Sequence, residues 1–147
     1  MYKRILVTTD GSKLSKSAVT QAIGLAQSCK AELVVLQVVP PYPISYFEGG
    51  IVLDVEEIKR IEAQWADNGQ AIVDAVKKTA TAKGINTKAV VSKSDVVSNA
   101  IIATAKKHGC DLIVMASHGR RGIKRLLLGS ETNQVLTHTT TAVLVVR

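Results

Sequence analysis

Aromatic residues are scarce in this sequence, making up 3% of its 147 residues. The core must therefore be built from Val, Ile, Leu and Ala, which suits strands that are covered on both faces. Cysteine is equally scarce. Cys29 and Cys110 lie far apart and form no C-x-x-C pair, so neither a zinc site nor a redox dithiol is indicated. We expect both thiols to be reduced and structural.

Long apolar runs are absent, and none approaches the roughly 18 residues that a membrane-spanning helix needs. The first residues also lack the apolar stretch and small-residue cleavage site of a signal peptide. We therefore expect a cytoplasmic protein without a membrane partner. The net charge of +7 fits nucleic acid, an anionic small molecule or simple solubility. Because stacking aromatics and RRM, KH or zinc-finger patterns are missing, dedicated nucleic-acid binding is poorly supported.

Several enzyme motifs are missing as well. The sequence contains no G-x-x-x-x-G-K-[ST], no G-x-G-x-x-G after its first strand, no G-x-S-x-G and no H-E-x-x-H. No paired carboxylates and no Ser/His/Asp set are placed together by the pattern. We therefore assign no catalytic residue and no metal ligand from the sequence.

Strand and helix patterns alternate along the chain. Apolar runs predict five strands at residues 4–8, 32–39, 87–92, 111–116 and 142–146. Helical spacing predicts helices over about 12–28, 54–84, 94–109 and 130–138. Because parallel strands need right-handed crossovers, we predict an open, doubly wound, parallel five-stranded α/β sheet with helices on both faces, of the Rossmann-like type. The length and the lack of a linker favour one domain over residues 1–147.

Three details of the helices are also predicted. Ser12 and Asp54 are expected to cap the first and second helices, and Ser94-Asp95 is expected to cap the third. Gly69 is a weak point inside the long second helix.

The stretch from Asp111 to Thr132 is the most informative part of the chain. A buried strand breaks into small, glycine-rich and basic residues and restarts as a helix at Gly129-Ser130. Close backbone approach, a helix N-terminus and cations are what a phosphate group needs. The cations are Arg120, Arg121, Lys124 and Arg125. Alternatively, the glycines are turns and the basic residues form a solvated face.

Two loops are expected to converge if the first and fourth strands are neighbours, namely Thr9–Ser12 and Ala116–Gly119. Asp10 is placed to meet a ribose hydroxyl, an adenine amino group or a metal, or to cap the next helix. His118 has no evident carboxylate partner, so we interpret it as a binding or hydrogen-bonding residue. His108 lies in the last turn of a predicted helix, where the dipole favours a cation.

Three stretches give the chain a family likeness: Ile5-Leu-Val-x-x-Asp10-Gly-Ser12-x-x-Ser15-x-x-Ala18, Leu36-Gln-Val38 and Val143-Leu-Val-Val-Arg147. Over nearly its whole length the chain resembles universal stress proteins. The nucleotide motif of that family, G-x2-G-x9-G-[ST], marks its ATP-binding branch. It stands here as Ala116-Ser-His-Gly119, nine residues and Gly129-Ser130, with Ala116 in place of the first glycine.

The resemblance implies ATP or AMP as ligand, with Mg²⁺ accompanying ATP, in an adenine nucleotide alpha hydrolase-like fold. It also implies a homodimer paired through the last strand, Val143–Val146. Near adenine and ribose it implies Thr9, Asp10, Val38, Met115, Ala116 and His118. Around the phosphates it implies Gly119, Arg120, Gly129, Ser130, Glu131 and Thr132.

Three functions remain open at this point. The first is a nucleotide-responsive regulatory or stress-response protein, with the loop from Pro41 to Leu53 as a responsive element. The second is a slow ATPase or phosphotransferase, for which only Asp10, His118 and Glu131 are candidate groups. The third is a partner-binding module whose nucleotide pocket does not function, with protein partners unidentified. Efficient phosphoryl transfer needs a positioned base and metal ligands, so binding is favoured over catalysis.

Overall fold

The computed structural model describes residues 1–43, 54–119 and 128–147. Strands and helices alternate through these ranges as the sequence predicts. The strands are β1 (Arg4–Thr8), β2 (Glu32–Val39), β3 (Thr87–Lys93), β4 (Leu112–Ala116) and β5 (Ala142–Val146). The helices are α1 (Lys13–Cys29), α2 (Val55–Ala82), α3 (Val97–Lys107) and α4 (Ser130–His138).

The five strands form one parallel sheet in the order β3-β2-β1-β4-β5. Strand β1 lies at the centre, where Ile5 pairs with Leu33 on one side and Leu112 on the other. The chain winds outward from β1 to β3 and then returns to the other side of β1 with β4. The predicted doubly wound fold is therefore confirmed, and the loops that follow β1 and β4 are neighbours, as expected.

The central strands of the sheet, β1, β2 and β4, are buried on both faces because they are apolar on both sides. Ile5 and Val7 of β1 point into the core that contains residues of α1 and α2. Leu6, between them, points into the opposite core, with Ile101 of α3 and Val135 of α4. Each fully buried aliphatic side chain contributes about 1.5–3 kcal/mol relative to exposure. This two-sided burial explains a core almost without aromatic residues.

Helix α2 packs closely over the carboxyl ends of β2 and β3. A Cβ at Gly69 would lie 3.1 Å from Val39 Cγ1 and 3.6 Å from Val91 Cγ1. The helix-propensity cost of this glycine, about 1 kcal/mol, is thus offset by close packing, which qualifies its predicted role as a weak point. The predicted cap is confirmed, since the Asp54 side chain accepts a hydrogen bond from Glu56 N.

The predicted cap of α3 is wrong. The N-cap residue is Val96, which provides no side-chain hydrogen bond. Ser94 Oγ instead accepts from Val96 N at 3.1 Å and closes the turn that precedes the helix. Ser94 and Asp95 are therefore left at the carboxyl end of β3, one turn before the helix begins.

The amino end of the sheet is closed by a polar network. Arg4 Nε donates to Glu32 Oε2 at 2.7 Å, and Asn86 Nδ2 donates to Glu32 Oε1 at 3.1 Å. The Asp111 carboxylate accepts from the backbone amides of Lys3 at 2.8 Å and Arg4 at 3.1 Å. These bonds join the starts of β1, β2, β3 and β4.

Two further sequence expectations concern the whole chain. None of the helices that the structure describes is long and apolar enough to cross a bilayer. Cys29 and Cys110 are free thiols, and Cys110 is buried. Burial raises the pKa of the Cys110 thiol to about 11.

Candidate functional site

A cavity of about 560 Å³ opens at the carboxyl end of the sheet, between the ends of β1 and β4. This is the point at which the winding direction reverses, where open α/β sheets bind their ligands. Ten of the twelve residues predicted for the site line it: Thr9, Asp10, Val38, Met115, Ala116, Gly119, Gly129, Ser130, Glu131 and Thr132. The structure thus brings together residues from four separate parts of the sequence.

The two remaining predicted residues differ. His118 is not among the described residues that line the cavity. Arg120 lies outside the described residues, as do Arg121, Lys124 and Arg125. Most of the predicted responsive loop, residues 44–53, also lies outside them.

The loop after β1 is held by its own side chains. Thr9 Oγ1 lies 3.1 Å from Ser15 Oγ and accepts from Gly11 N at 3.2 Å. Gly11 has φ +78°, a conformation that a side chain would strain. Asp10 Oδ1 accepts from Ser12 N at 2.8 Å, and Ser12 caps α1 as predicted. Asp10 therefore shapes the loop and lines the cavity at once.

The loop after β4 is fixed to the start of α4. Thr132 Oγ1 donates to Ala116 O at 3.0 Å, and Gly129 N donates to Ser117 O at 2.8 Å. A Cβ at Gly129 would lie 3.2 Å from Ser117 O, which is closer than ordinary contact. Gly129 is thus a close-approach position, as predicted, but the atoms it approaches include the chain's own backbone. Ala116 ends β4 without positive φ, so its methyl group imposes no backbone strain.

His118 makes a side-chain hydrogen bond beside this loop. Its Nδ1 lies 2.8 Å from Ser117 Oγ. Its Nε2 is buried and has no hydrogen-bond partner within residues 1–43, 54–119 and 128–147. The Nδ1 bond is to the neighbouring Ser117, so the interpretation of His118 as a binding or hydrogen-bonding residue of the site stays a prediction.

The two ends of the cavity differ in polarity. One end is apolar and is lined by Val38, Pro40, Val97, Ile101 and Met115. The other end is the N-terminus of α4, where Gly129 is the N-cap and supplies no side-chain hydrogen bond. The first N–H groups of a helix have no acceptor within the helix and attract anions. The cavity therefore combines this apolar wall, which Ser94 and Asp95 adjoin, with a helix N-terminus that can hold an anion.

Sequence reasoning missed several residues of the wall. Thr8, Ser15 and Pro40 adjoin predicted residues, whereas Ser94, Asp95, Val97 and Ile101 come from the connection between β3 and α3. Their position in the cavity wall depends on the strand order, which places β3 beside β2 and brings α3 against the sheet. The only local signal was the i, i+4 spacing of Val97 and Ile101, which reads equally well as core packing.

Metal binding has little support from the protein side chains. Within the described ranges, no three His, Cys, Asp or Glu side chains are grouped so that they could hold a metal ion.

Known proteins share this architecture. Universal stress protein MJ0531 of Methanocaldococcus jannaschii is 34% identical over 149 residues, which cover 100% of this chain and 83% of the relative. The structure of universal stress protein UspA from Lactobacillus plantarum matches with a TM-score of 0.84 at 26% identity, over 99% of this chain and 98% of that one. A universal stress protein solved in complex with cAMP matches with a TM-score of 0.71 at 26% identity, over 99% and 97%.

The match to the family as a whole is complete in length. The model of the universal stress protein family covers residues 1–147. With its full length matched by that model and by a relative of 34% identity, the chain belongs to the universal stress protein family.

Proposed function

We propose that this protein binds an adenine nucleotide, AMP or ATP, in the cavity at the carboxyl end of the sheet. The observation that carries the proposal is the polarity of that cavity, which is apolar at one end and opens onto the N-terminus of α4 at the other. A nucleotide has the same division between base and phosphate. The family member solved with cAMP supports this choice of ligand class.

Following the family resemblance, we assign a part of the nucleotide to each group of residues. Val38 and Met115 pack against adenine, with Asp10 and Thr9 beside it. Ala116 and His118 lie toward the ribose. The phosphates bind around Gly119, Arg120 and the first turn of α4, from Gly129 to Thr132. We propose that the variant motif retains its function with alanine at position 116, and the backbone there, which has no positive φ, supports this.

We propose that the bound nucleotide acts as a regulatory ligand in a stress response, biasing the shape or the partner choice of the protein. A phosphoryl-transfer enzyme needs a positioned base and metal ligands. The described side chains provide no such metal group. We propose that ATP binds together with Mg²⁺ and acts as a ligand rather than as a rapidly hydrolysed substrate.

The first experiment is mass spectrometry of nucleotide released from freshly purified protein, followed by a time course with added ATP. Bound AMP or ATP without turnover is the expected result. Steady conversion of ATP to ADP or AMP, lost in Asp10 or Gly129 variants, would make the protein a slow enzyme. If no nucleotide is retained through purification and none binds when it is added, the proposal is contradicted. That result would favour a partner-binding module with a non-functional pocket.

Asp10 provides the sharpest variant for this test. Asp10→Ala should weaken AMP binding by roughly tenfold, equivalent to about 1.4 kcal/mol, because it removes the carboxylate from the wall and frees Ser12 N. Asp10→Asn is the matched control for the turn, since its amide oxygen still accepts from Ser12 N. Calorimetric titration measures the affinity and urea unfolding measures the stability. Lower stability at unchanged affinity would leave Asp10 with a capping role only.

The last strand suggests the mode of assembly. Strand β5 is an edge of the sheet, and Leu144 in its middle is 36% exposed. We propose that two copies pair through Val143–Val146 about a two-fold axis, in the cytoplasm. Sedimentation at two protein concentrations tests the pairing.

A further inference from the structure

The apolar end of the cavity has a wall made from two strand ends. Pro40 follows β2, and Ser94 and Asp95 follow β3. The backbone pairing of these strands continues to Ser94 N, which donates to Val39 O at 3.0 Å. The residue that follows Val39 is Pro40, which has no N–H to donate. Pro40 therefore cannot donate a backbone hydrogen bond to the sheet, and the cavity wall begins at this residue.

Beyond the end of the sheet, a carboxylate on α2 accepts the next available backbone N–H. Residues 40–43 contain all three prolines of the chain, so Tyr42 has their only backbone N–H. That N–H donates to Glu62 Oε2 at 3.0 Å. The same oxygen lies 3.7 Å from Lys93 Nζ, with the Glu62 side chain only 20% exposed. One carboxylate thus joins the segment after β2 to the last residue of β3.

An aromatic pair strengthens this junction. The ring of Tyr42 stacks on Trp65, with centroids 6.0 Å apart and planes inclined by 18°, within the usual range for stacked rings. Trp65 lies three residues after Glu62, and therefore on the same face of α2. Gly69 continues that face and lets the helix approach Val39. We call Tyr42, Glu62, Trp65 and Lys93 the clasp.

Resting on the proposed function, we infer that Glu62 is a positioning residue that holds the base end of the nucleotide cavity. No residue of α2, which the structure describes throughout, lines the cavity. Glu62 therefore acts through Tyr42 and Lys93, the neighbours of the wall residues. If the Glu62 carboxylate is removed, Pro40 and Ser94 become ordered only when the base binds. The free energy of that ordering then reduces the affinity.

The experiment compares a ligand that has a base with one that lacks it. Glu62→Ala should weaken AMP binding by roughly fivefold to tenfold in calorimetric titration. The affinity for ribose 5-phosphate, measured by competition with AMP, should stay unchanged because that ligand uses only the other end of the cavity. Glu62→Gln should restore most of the AMP affinity, since its amide oxygen still accepts from Tyr42 N. Glu57→Ala is the matched control, because Glu57 lies on the same helix and pairs with Arg60.

Trp65 gives a second readout, as it is the only tryptophan of the chain. Its emission in the ligand-free protein should change in Glu62→Ala and remain unchanged in Glu57→Ala. AMP affinity within about twofold of the wild type in Glu62→Ala would overturn the inference. Equal weakening of AMP and ribose 5-phosphate would also overturn it, since that indicates a general loss of structure. Failure of the wild type to bind any adenine nucleotide would instead overturn the proposed function, and this inference with it.

Discussion

The two ends of the sheet are built from the same strands but use their polar groups differently. At the amino end, Arg4, Glu32, Asn86 and Asp111 are bonded to one another or to nearby backbone. At the carboxyl end, hydroxyls, carboxylates and the first turn of α4 surround a cavity. Polar groups at both ends are hydrogen-bonded within the protein, but only those at the carboxyl end also line a cavity. The comparison therefore separates a closed polar network from one that borders space for a ligand.

The hydrogen bonds at the amino end also lower the pKa values of two carboxylates there. Hydrogen bonds from Arg4 and Asn86, with the charge of Arg4, lower the pKa of Glu32. Burial opposes ionisation of Asp111, but backbone hydrogen bonds from Lys3 and Arg4 lower its pKa overall.

His108 at the same end departs from its sequence-based prediction. Burial, together with the charges of Lys88, Lys107 and Arg4, lowers its pKa. The helix dipole was expected to favour a cation at this position. Burial outweighs the dipole first, and the neighbouring cations act in the same direction as burial.

The largest expected effect comes from a bulkier side chain at position 129, at the carboxyl end of the sheet. Gly129→Val should weaken AMP binding by roughly 100-fold or more, because its side chain would press on Ser117 O and displace the start of α4. Calorimetric titration measures this loss. Circular dichroism should show that the fold is retained.

The matched control for that variant is Gly24→Val. Gly24 lies in α1, and a Cβ there would meet nothing within 4 Å. Its AMP affinity should equal that of the wild type. Unchanged AMP affinity in Gly129→Val would mean that the start of α4 is not part of the phosphate site. The proposed difference between the two ends of the sheet would then be wrong.

A smaller effect of the opposite kind is expected at the amino end. Asp111→Ala should lower the free energy of unfolding by about 1–2 kcal/mol, because two backbone amides lose a charged acceptor. AMP affinity should not change, since the cavity lies at the other end of the strands. Asp74→Ala, which removes an exposed acceptor for Gln70 on α2, is the control for loss of a surface carboxylate. A change of affinity in Asp111→Ala would show that the two ends are coupled.

The smallest effect is a dependence of stability on pH. Glu32 and Asp111 have lowered pKa values, so their stabilisation is present above their ordinary values of 4.5 and 3.8 and is lost as the pH falls through the lowered values. His108, also lowered, adds a loss of stability that begins as the pH falls below 6.5. Urea midpoints from pH 8 to pH 3 should therefore decrease toward acid. His108→Gln should flatten the upper part of that profile and Glu32→Gln the lower part; identical profiles would contradict both assignments.

Local patterns predicted the elements well because each strand contains a short apolar run. The bounds of β1, β2, α4 and β5 agree with the sequence-based prediction, and β3 is one residue longer. The start of α3 was predicted wrongly because Ser94 has two competing uses, as a cap and as a turn-closing residue. Its side chain can bond the backbone in either conformation, and the pattern does not distinguish them.

The site was predictable where its residues follow β1 and β4 in a recognisable motif. Asp10, Gly119 and Gly129 were found in this way, and all three line the cavity. Asp95 and Ile101 carry no motif, and Glu62 does not line the cavity at all. Such residues acquire a role only through contacts between segments that are distant in sequence.

The sequence by itself determined the alternation of strands and helices, the burial of the sheet on both faces and the membership of the universal stress protein family. The first two follow from apolar periodicity, a local property of the chain, whereas the family follows from the resemblance of its motifs, which the family model and the relatives bear out. The tertiary structure alone decided the order β3-β2-β1-β4-β5, the closed network at the amino end and the clasp on α2. Each of these depends on which segments pack together, and that choice is made by the free energy of the whole fold rather than by any single segment.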